Sequence, residues 1–192
     1  MHAMPEASPE TVDAPRLATL EDVDELSSLM RVSIRQLIGA YLDAARVEAS
    51  DEIMGLDTQL IEDGTYFAVQ CGDRIVGCGG WSRRATMFGG DHSGGRSTRL
   101  LDPAREPARV RAMYTHPDFA RRGIGTRVLA ACEAAAAREG FSTLELVATV
   151  AGEPLYVANG FVLVERIEVP TTRGVTIPCA RMRRAVSRAG VA

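Results

Sequence analysis

The chain predicts an α/β fold with a mixed sheet, and three observations carry that expectation. Strand-like and helix-like runs alternate through the middle of the sequence. A Gly72-Asp73 pair joins two β-rich runs into a hairpin. Two further strand-like runs then close the chain with no helix between them. At 192 residues, 46% hydrophobic and 24% charged, the sequence has enough apolar material for one domain with a sizeable core. That domain is expected over 15–186, between a polar, proline-bearing tail at 1–14 that reads as disordered and a short C-terminal tail at 187–192.

Each element has its own signal. PRLAT reads as a short first strand. A helix follows, with Val23, Leu26, Leu29, Met30, Ile34, Leu37 and Ile38 at helical spacing, and Thr19 with Asp22 marks its start. A second helical piece is expected between Arg46 and Glu62, ending at Gly64. The hairpin spans 66–84. Four glycines and two prolines over 87–107 then argue against regular structure, and a loop of that length is functional or mobile. ARVRAMYTHP is the next strand, with Val110, Ala112 and Tyr114 expected on one face. TRVLAACEAAAAREG is a helix with Leu129, Cys132 and Ala136 on its apolar stripe and Gly140 at its end. FSTLELVAT is a strand, EPLYVANG a short helix closed by Gly160, and the last strand pair runs from Phe161 to Arg184.

Composition narrows the function. A net charge of −3 gives no basic footprint, so nucleic acid is not an expected partner. No apolar run approaches the roughly 20 residues that span a bilayer, and the first residues lack a secretory pattern, so a cytoplasmic protein without a membrane partner is expected. Cys71, Cys78, Cys132 and Cys179 are scattered and read as free, buried thiols. Three histidines without ligand spacing make a metal site unexpected.

The chemistry concentrates in RRGIGT, Arg121 to Thr126, which sits between a strand and a helix. The first amides of a helix lack intrahelical partners and its dipole makes that end positive. Gly123 and Gly125 leave those amides open to an anion, and Arg121 and Arg122 add charge beside them. The dinucleotide fingerprint would need glycine where Val128 stands, and a Walker loop would need a lysine, so neither fits. On these six residues alone, an ordinary strand-to-helix turn is an equal alternative.

With the downstream sequence included, the chain resembles the GNAT superfamily of N-acetyltransferases. Its coenzyme loop has the form [QR]-x-x-G-x-[GA], and the window here reads Ala120-Arg121-Arg122-Gly123-Ile124-Gly125. LELVATVAGEPLYVANGF is similar to the family's second half, with Leu155-Tyr156 and Gly160-Phe161 in its LY-x-x-x-GF element. Ala120 departs from the usual Gln or Arg at the first loop position.

The resemblance implies a mostly antiparallel sheet of about seven strands flanked by helices. It also implies transfer of an acetyl group from acetyl-coenzyme A, the cosubstrate, directly to a primary amine on a small molecule or protein; a homodimer is a further expectation. The coenzyme-binding residues would be Met113 and Tyr114, for the pantetheine arm, and Arg121, Arg122, Gly123, Ile124, Gly125 and Thr126, for the pyrophosphate. Tyr156 would be the catalytic acid, its alternative being a core aromatic. Glu145, His116 and Glu153 are weighed as the base without a decision. Arg35, Tyr41, Trp81 and the glycine-rich loop would build the acceptor pocket, Trp81 having half-buried core as its alternative, while Arg83 and Arg84 either favour an anion or are simply solvated. The rival reading is an acyl-coenzyme A-binding regulatory module without catalysis.

Overall fold

The order of elements follows the patterning closely. In the computed structural model, which describes residues 11–187, β1 (Arg16–Leu17) leads through a 3-10 turn into α1 (Val23–Ser33), which continues as a π-helical turn over Ile34–Ile38. Then come α2 (Ala44–Ser50), α3 (Thr58–Glu62), β2 (Tyr66–Cys71), β3 (Arg74–Ser82) and β4 (Ala108–Thr115). The chain continues with α4 (Ile124–Arg138), β5 (Thr143–Thr149), α5 (Glu153–Ala158), β6 (Val162–Pro170) and β7 (Thr176–Ala185). The parts of the two expected tails at 1–10 and 188–192 lie outside the described residues. Val12 and Asp13, assigned by composition to the tail, run beside β2: Val12 bridges Cys71, and the Asp13 amide donates to the Gln70 carbonyl at 2.8 Å.

The seven strands form one sheet in the order β1-β2-β3-β4-β5-β7-β6. Every neighbouring pair is antiparallel except β4 with β5. Gly72 and Asp73 make the two-residue loop of the central hairpin, with Cys71 opposite Arg74. α1 covers one face of the sheet, where Leu26, Leu29, Met30 and Ile34 pack with Tyr66, Ile75, Cys78 and Tyr114. α4 covers the other, where Ile124, Val128, Leu129 and Cys132 pack with Val76, Trp81, Val110 and Leu146. Burial of these apolar side chains on both faces is the main force holding the sheet.

The predicted start signal of the first helix is present. The Thr19 amide donates to Asp22 Oδ2 at 2.8 Å, and Asp22 also receives both Arg16 guanidinium nitrogens, at 2.7 and 2.8 Å. The Arg16 guanidinium holds the Asp22 carboxyl down to about 2.

Two expectations need correction. The helical piece between Arg46 and Glu62 is two helices, because Asp43 caps α2 through the Arg46 amide and Asp57 caps α3 through the Gln59 amide. Val110, Ala112 and Tyr114 do not share a face. A bulge interrupts the β3–β4 ladder between Cys78 and Gly80, and Ala112 there has φ 51°. The extra residue reverses the alternation: Val110 and Met113 pack on the α4 side, Ala112 and Tyr114 on the α1 side. The Tyr66 hydroxyl donates to the Ala112 carbonyl at 2.7 Å and braces this strained residue.

Candidate active site

The functional geometry follows from the one parallel pair. β4 and β5 pair only at Ala108 with Leu144 and Arg109 with Glu145. Glu145 clasps this closed end: its carboxylate, 3% exposed, takes an ion pair from Arg109 of β4 and another from Arg183 of β7, whose Nε donates at 2.9 Å. Beyond that point the strands part. The resulting cleft, about 90 Å³, is lined by Val110, Met113 and Tyr114 on one side and Val147 and Thr149 on the other, with Tyr156 beside them. Parting strands leave backbone amides and carbonyls facing the gap without a ladder partner, the feature an extended ligand arm can use as an added strand.

The head of α4 follows β4 through a 3-10 turn over Pro117–Phe119. Arg121 has φ 64° and Gly123, the N-cap of α4, has φ 77°. A Cβ added at Gly123 would meet nothing within 4 Å, so the space in front of the helix is open. The first helical amides therefore have both the exposure and the dipole to hold an anion. Ile124 contributes only backbone there, because its side chain is buried in the core.

Gly125 has a packing role as well: its added Cβ would lie 2.8 Å from Leu155 Cδ2, so the absence of a side chain admits α5 against α4. Thr126 is exposed, with its hydroxyl 3.3 Å from the Asn159 side-chain nitrogen at the end of α5. Arg121 and Arg122 are exposed and make no ion pair among the described residues; Arg122 rests on the Phe119 ring, 4.8 Å from its centroid.

Pro154 in the first turn of α5 sets that helix going, and the helix brings Tyr156 to the cleft. The ring is buried and packs edge-on against Phe161, with centroids 5.7 Å apart. Its hydroxyl has no hydrogen bond among the described residues. Burial pushes the phenol well above its ordinary value, so it stays protonated. Tyr114 also lines the cleft; its hydroxyl accepts from the Gly55 amide at 3.0 Å.

None of the three base candidates lines the cleft. Glu145 is consumed by its two arginines. Glu153 is held by Arg166 at 2.6 and 2.7 Å. His116 is buried beside Phe119, its Nδ1 accepts from the Asp118 amide at 3.2 Å, and burial and Arg74 lower its pKa.

The expected acceptor residues are also elsewhere. Trp81 is fully buried against Phe141 on the α4 face. Arg83 pairs with Glu139 and Arg84 with Asp63, and neither lines the cleft. Arg35 and Tyr41 are exposed and do not line the cleft.

The glycine-rich loop does contribute, through Met87, Phe88 and Gly89, and it faces Ile53, Met54 and Gly55 from the α2–α3 connection. These two irregular segments are laced together: Asp91 N donates to Leu56 O at 2.9 Å, Ser93 Oγ to Glu52 O at 2.8 Å, and Arg96 pairs with Asp57. Asp57 also takes Arg111 Nη2 at 2.9 Å, and Arg111 donates to the Thr86 and Gly89 carbonyls at 3.2 and 2.7 Å. No local motif signals this wall; Arg111 shares its strand with a second arginine, Arg109, and nothing in the sequence sets it apart.

Comparison with known proteins agrees with this geometry. The profile of the acetyltransferase (GNAT) domain matches residues 62–163, more than half the chain. Among solved structures, a GCN5-related N-acetyltransferase from Rhodopseudomonas palustris is 20% identical with a TM-score of 0.65, over 93% of this chain and 99% of that one. PaiA N-acetyltransferase from Thermoplasma acidophilum, in complex with coenzyme A, is 13% identical with a TM-score of 0.58, over 91% and 99%. YncA from Salmonella typhimurium, with its cofactor acetyl-CoA, is 14% identical with a TM-score of 0.58, over 94% and 96%. No curated protein matches the sequence. Among the described residues no helix is long and apolar enough to cross a membrane, and no group of side chains has the makings of a metal site. The split sheet, the glycine-capped helix and the matching profile agree: this chain belongs to the GNAT acetyltransferase family, enzymes that use acetyl-coenzyme A as acyl donor.

Proposed function

We propose that the protein is an N-acetyltransferase that moves the acetyl group directly from the coenzyme thioester to a primary amine in the β4–β5 cleft. The observation that carries this reading is the parting of β4 from β5 after two paired positions, with Tyr156 and the head of α4 on the same opening. The thioester supplies an activated acyl group. The free edge of β4 at Met113 and Tyr114 pairs with the pantetheine arm, and an amide there steadies the carbonyl oxygen as charge develops on it. The amides of Gly123, Ile124, Gly125 and Thr126 hold the pyrophosphate, with Arg121 and Arg122 adding positive charge. Tyr156 gives its proton to the leaving thiolate.

The acceptor carries its amine on a small molecule or a protein. The exposed apolar run Val162, Leu163 and Val164 on the edge strand β6 supports pairing of two copies, checked by mass in solution. The test of the catalytic reading is calorimetric titration with coenzyme A, followed by thiol release when amines are added to enzyme and acetyl-coenzyme A. Binding with amine-dependent thiol release is expected. Binding without turnover on any amine would favour a coenzyme-binding regulatory module, and no binding would overturn the proposal.

A further inference from the structure

The cleft carries information about its acceptor, given the acetyl-transfer reading above. The side chains on its acceptor side are apolar, with polar surface from backbone between them: Ile53 and Met54 from one segment, Met87 and Phe88 from the loop, and Val169 from β6 all line the same cavity as Tyr156. No carboxylate is among its lining residues, and one formal charge reaches it, Arg111. That guanidinium has a side chain 2% exposed and is committed to Asp57, Thr86 O and Gly89 O, so it has little left to offer a substrate carboxylate. Its counterion Asp57 is 3% exposed, is shared with Arg96, and does not line the cleft.

The titratable and charged groups facing the cleft can be taken element by element. β4 offers Arg111 and Tyr114, α5 offers Tyr156, and β7 offers Cys179. The segments 53–55 and 87–89, together with β5 and β6, offer none. Burial holds both phenols uncharged and pushes the Cys179 thiol up to about 11. An ammonium entering here would lose its water, find no anion and meet a guanidinium, and each of these disfavours its charged form.

We infer that the cleft takes its acceptor as the uncharged form of an apolar primary amine, a small molecule whose alkyl or aryl body lies against the Met54–Met87–Phe88 wall. The ammonium gives its proton to water on entry, so no carboxylate or imidazole of the protein is needed as base. The free nitrogen attacks the thioester carbon, the C–N bond forms and the C–S bond breaks. The thiolate takes the Tyr156 proton, and the remaining surplus proton on nitrogen returns through water to the tyrosinate. Amide and free thiol are the products, and the tyrosine is restored.

The experiment compares kcat/KM of the full chain with acetyl-coenzyme A for 2-phenylethylamine and hexylamine against spermidine, kanamycin, glutamate and an alanine-initiated tripeptide. The two apolar amines should lead by about tenfold or more, the scale of one or two buried apolar groups. For 2-phenylethylamine, log(kcat/KM) should rise with a slope of about +1 between roughly pH 6.5 and 9, following the free-base fraction. Phe88→Glu, at a partly exposed position, should lower kcat/KM for that amine about tenfold while coenzyme A affinity stays within about twofold.

Preference for a charged amine or the peptide overturns the inference, and so does a profile that levels off near neutral pH, which would reveal a protein base. Higher activity with hexanoyl-coenzyme A and a charged amine would also overturn it, by assigning the apolar wall to the acyl chain. In the first two cases coenzyme binding remains and the acetyl-transfer reading stands; in the third, transfer from the coenzyme stands with a longer acyl group as donor. Loss of coenzyme binding in the unmodified protein would remove both.

Discussion

The two halves of the cleft are built in opposite ways. The proposed coenzyme half, from β4 through the head of α4 to α5, is made of consecutive sequence and presents mostly backbone, the parted edge of β4 and the amides beyond Gly123, with the side chains of Tyr156, Arg121 and Arg122 beside it. The acceptor half is assembled from segments about thirty residues apart, 51–57 and 86–96, and presents side chains on an irregular backbone. It is fixed by the buried Arg111–Asp57 pair and by hydrogen bonds from one loop to the other. A site of backbone groups tolerates change in most side chains, because every residue but proline supplies the same amide. A site of side chains changes its specificity with each substitution.

That contrast predicts graded effects. The largest should come from Gly123→Glu, which places a carboxylate and a strained left-handed residue at the open mouth of α4. Coenzyme A affinity in calorimetry should fall by about 100-fold or more, with acceptor recognition lost only as a consequence. Tyr156→Phe should lower kcat by about 100-fold and leave coenzyme affinity within about twofold, because it removes a proton donor and keeps the ring. Unchanged turnover would take Tyr156 out of the mechanism.

Arg111→Met acts on the other half. It leaves Asp57 with Arg96 alone and releases the Thr86 and Gly89 carbonyls. Stability to denaturant should drop by about 3 kcal/mol, and the amine KM should rise several-fold more than the coenzyme Kd. An equal change in both constants would show that the two halves are not separable.

The smallest effect belongs to Asp22→Asn, away from both halves. The folded Asp22 pKa is depressed to about 2, so its contribution is present above the unfolded carboxylate pKa and is lost as pH falls through the folded value. The variant should lose about 1 kcal/mol at neutral pH and show a flatter stability curve below about pH 4, with unaltered turnover.

The same contrast explains what the sequence disclosed. The succession of elements along the chain, the Gly72-Asp73 hairpin, the Thr19–Asp22 start signal and the head of α4 are local, and residues near in sequence determine them. Gly125 was legible as a required glycine, but its packing reason was not, since its neighbour Leu155 is thirty residues away. The bulge at Ala112 escaped because alternation alone cannot register one extra residue in a strand. Trp81 and Arg83 sit beside a glycine-rich loop in sequence and on the opposite face of the sheet in space. The acceptor wall was illegible for the most basic reason. Asp57 and Arg111 are 54 residues apart, and nothing in either neighbourhood announces the other.

The central claim is that the coenzyme is held by backbone at the head of α4 and along the parted edge of β4. Its most direct test is the change in backbone amide resonances when coenzyme A is titrated into the isotopically labelled protein. The account predicts that the largest shifts fall on Gly123, Ile124, Gly125 and Thr126 and on Met113 and Tyr114, while the amides of 51–57 and 86–96 move little. Large shifts confined to those two acceptor segments, with the head of α4 unmoved, would contradict it.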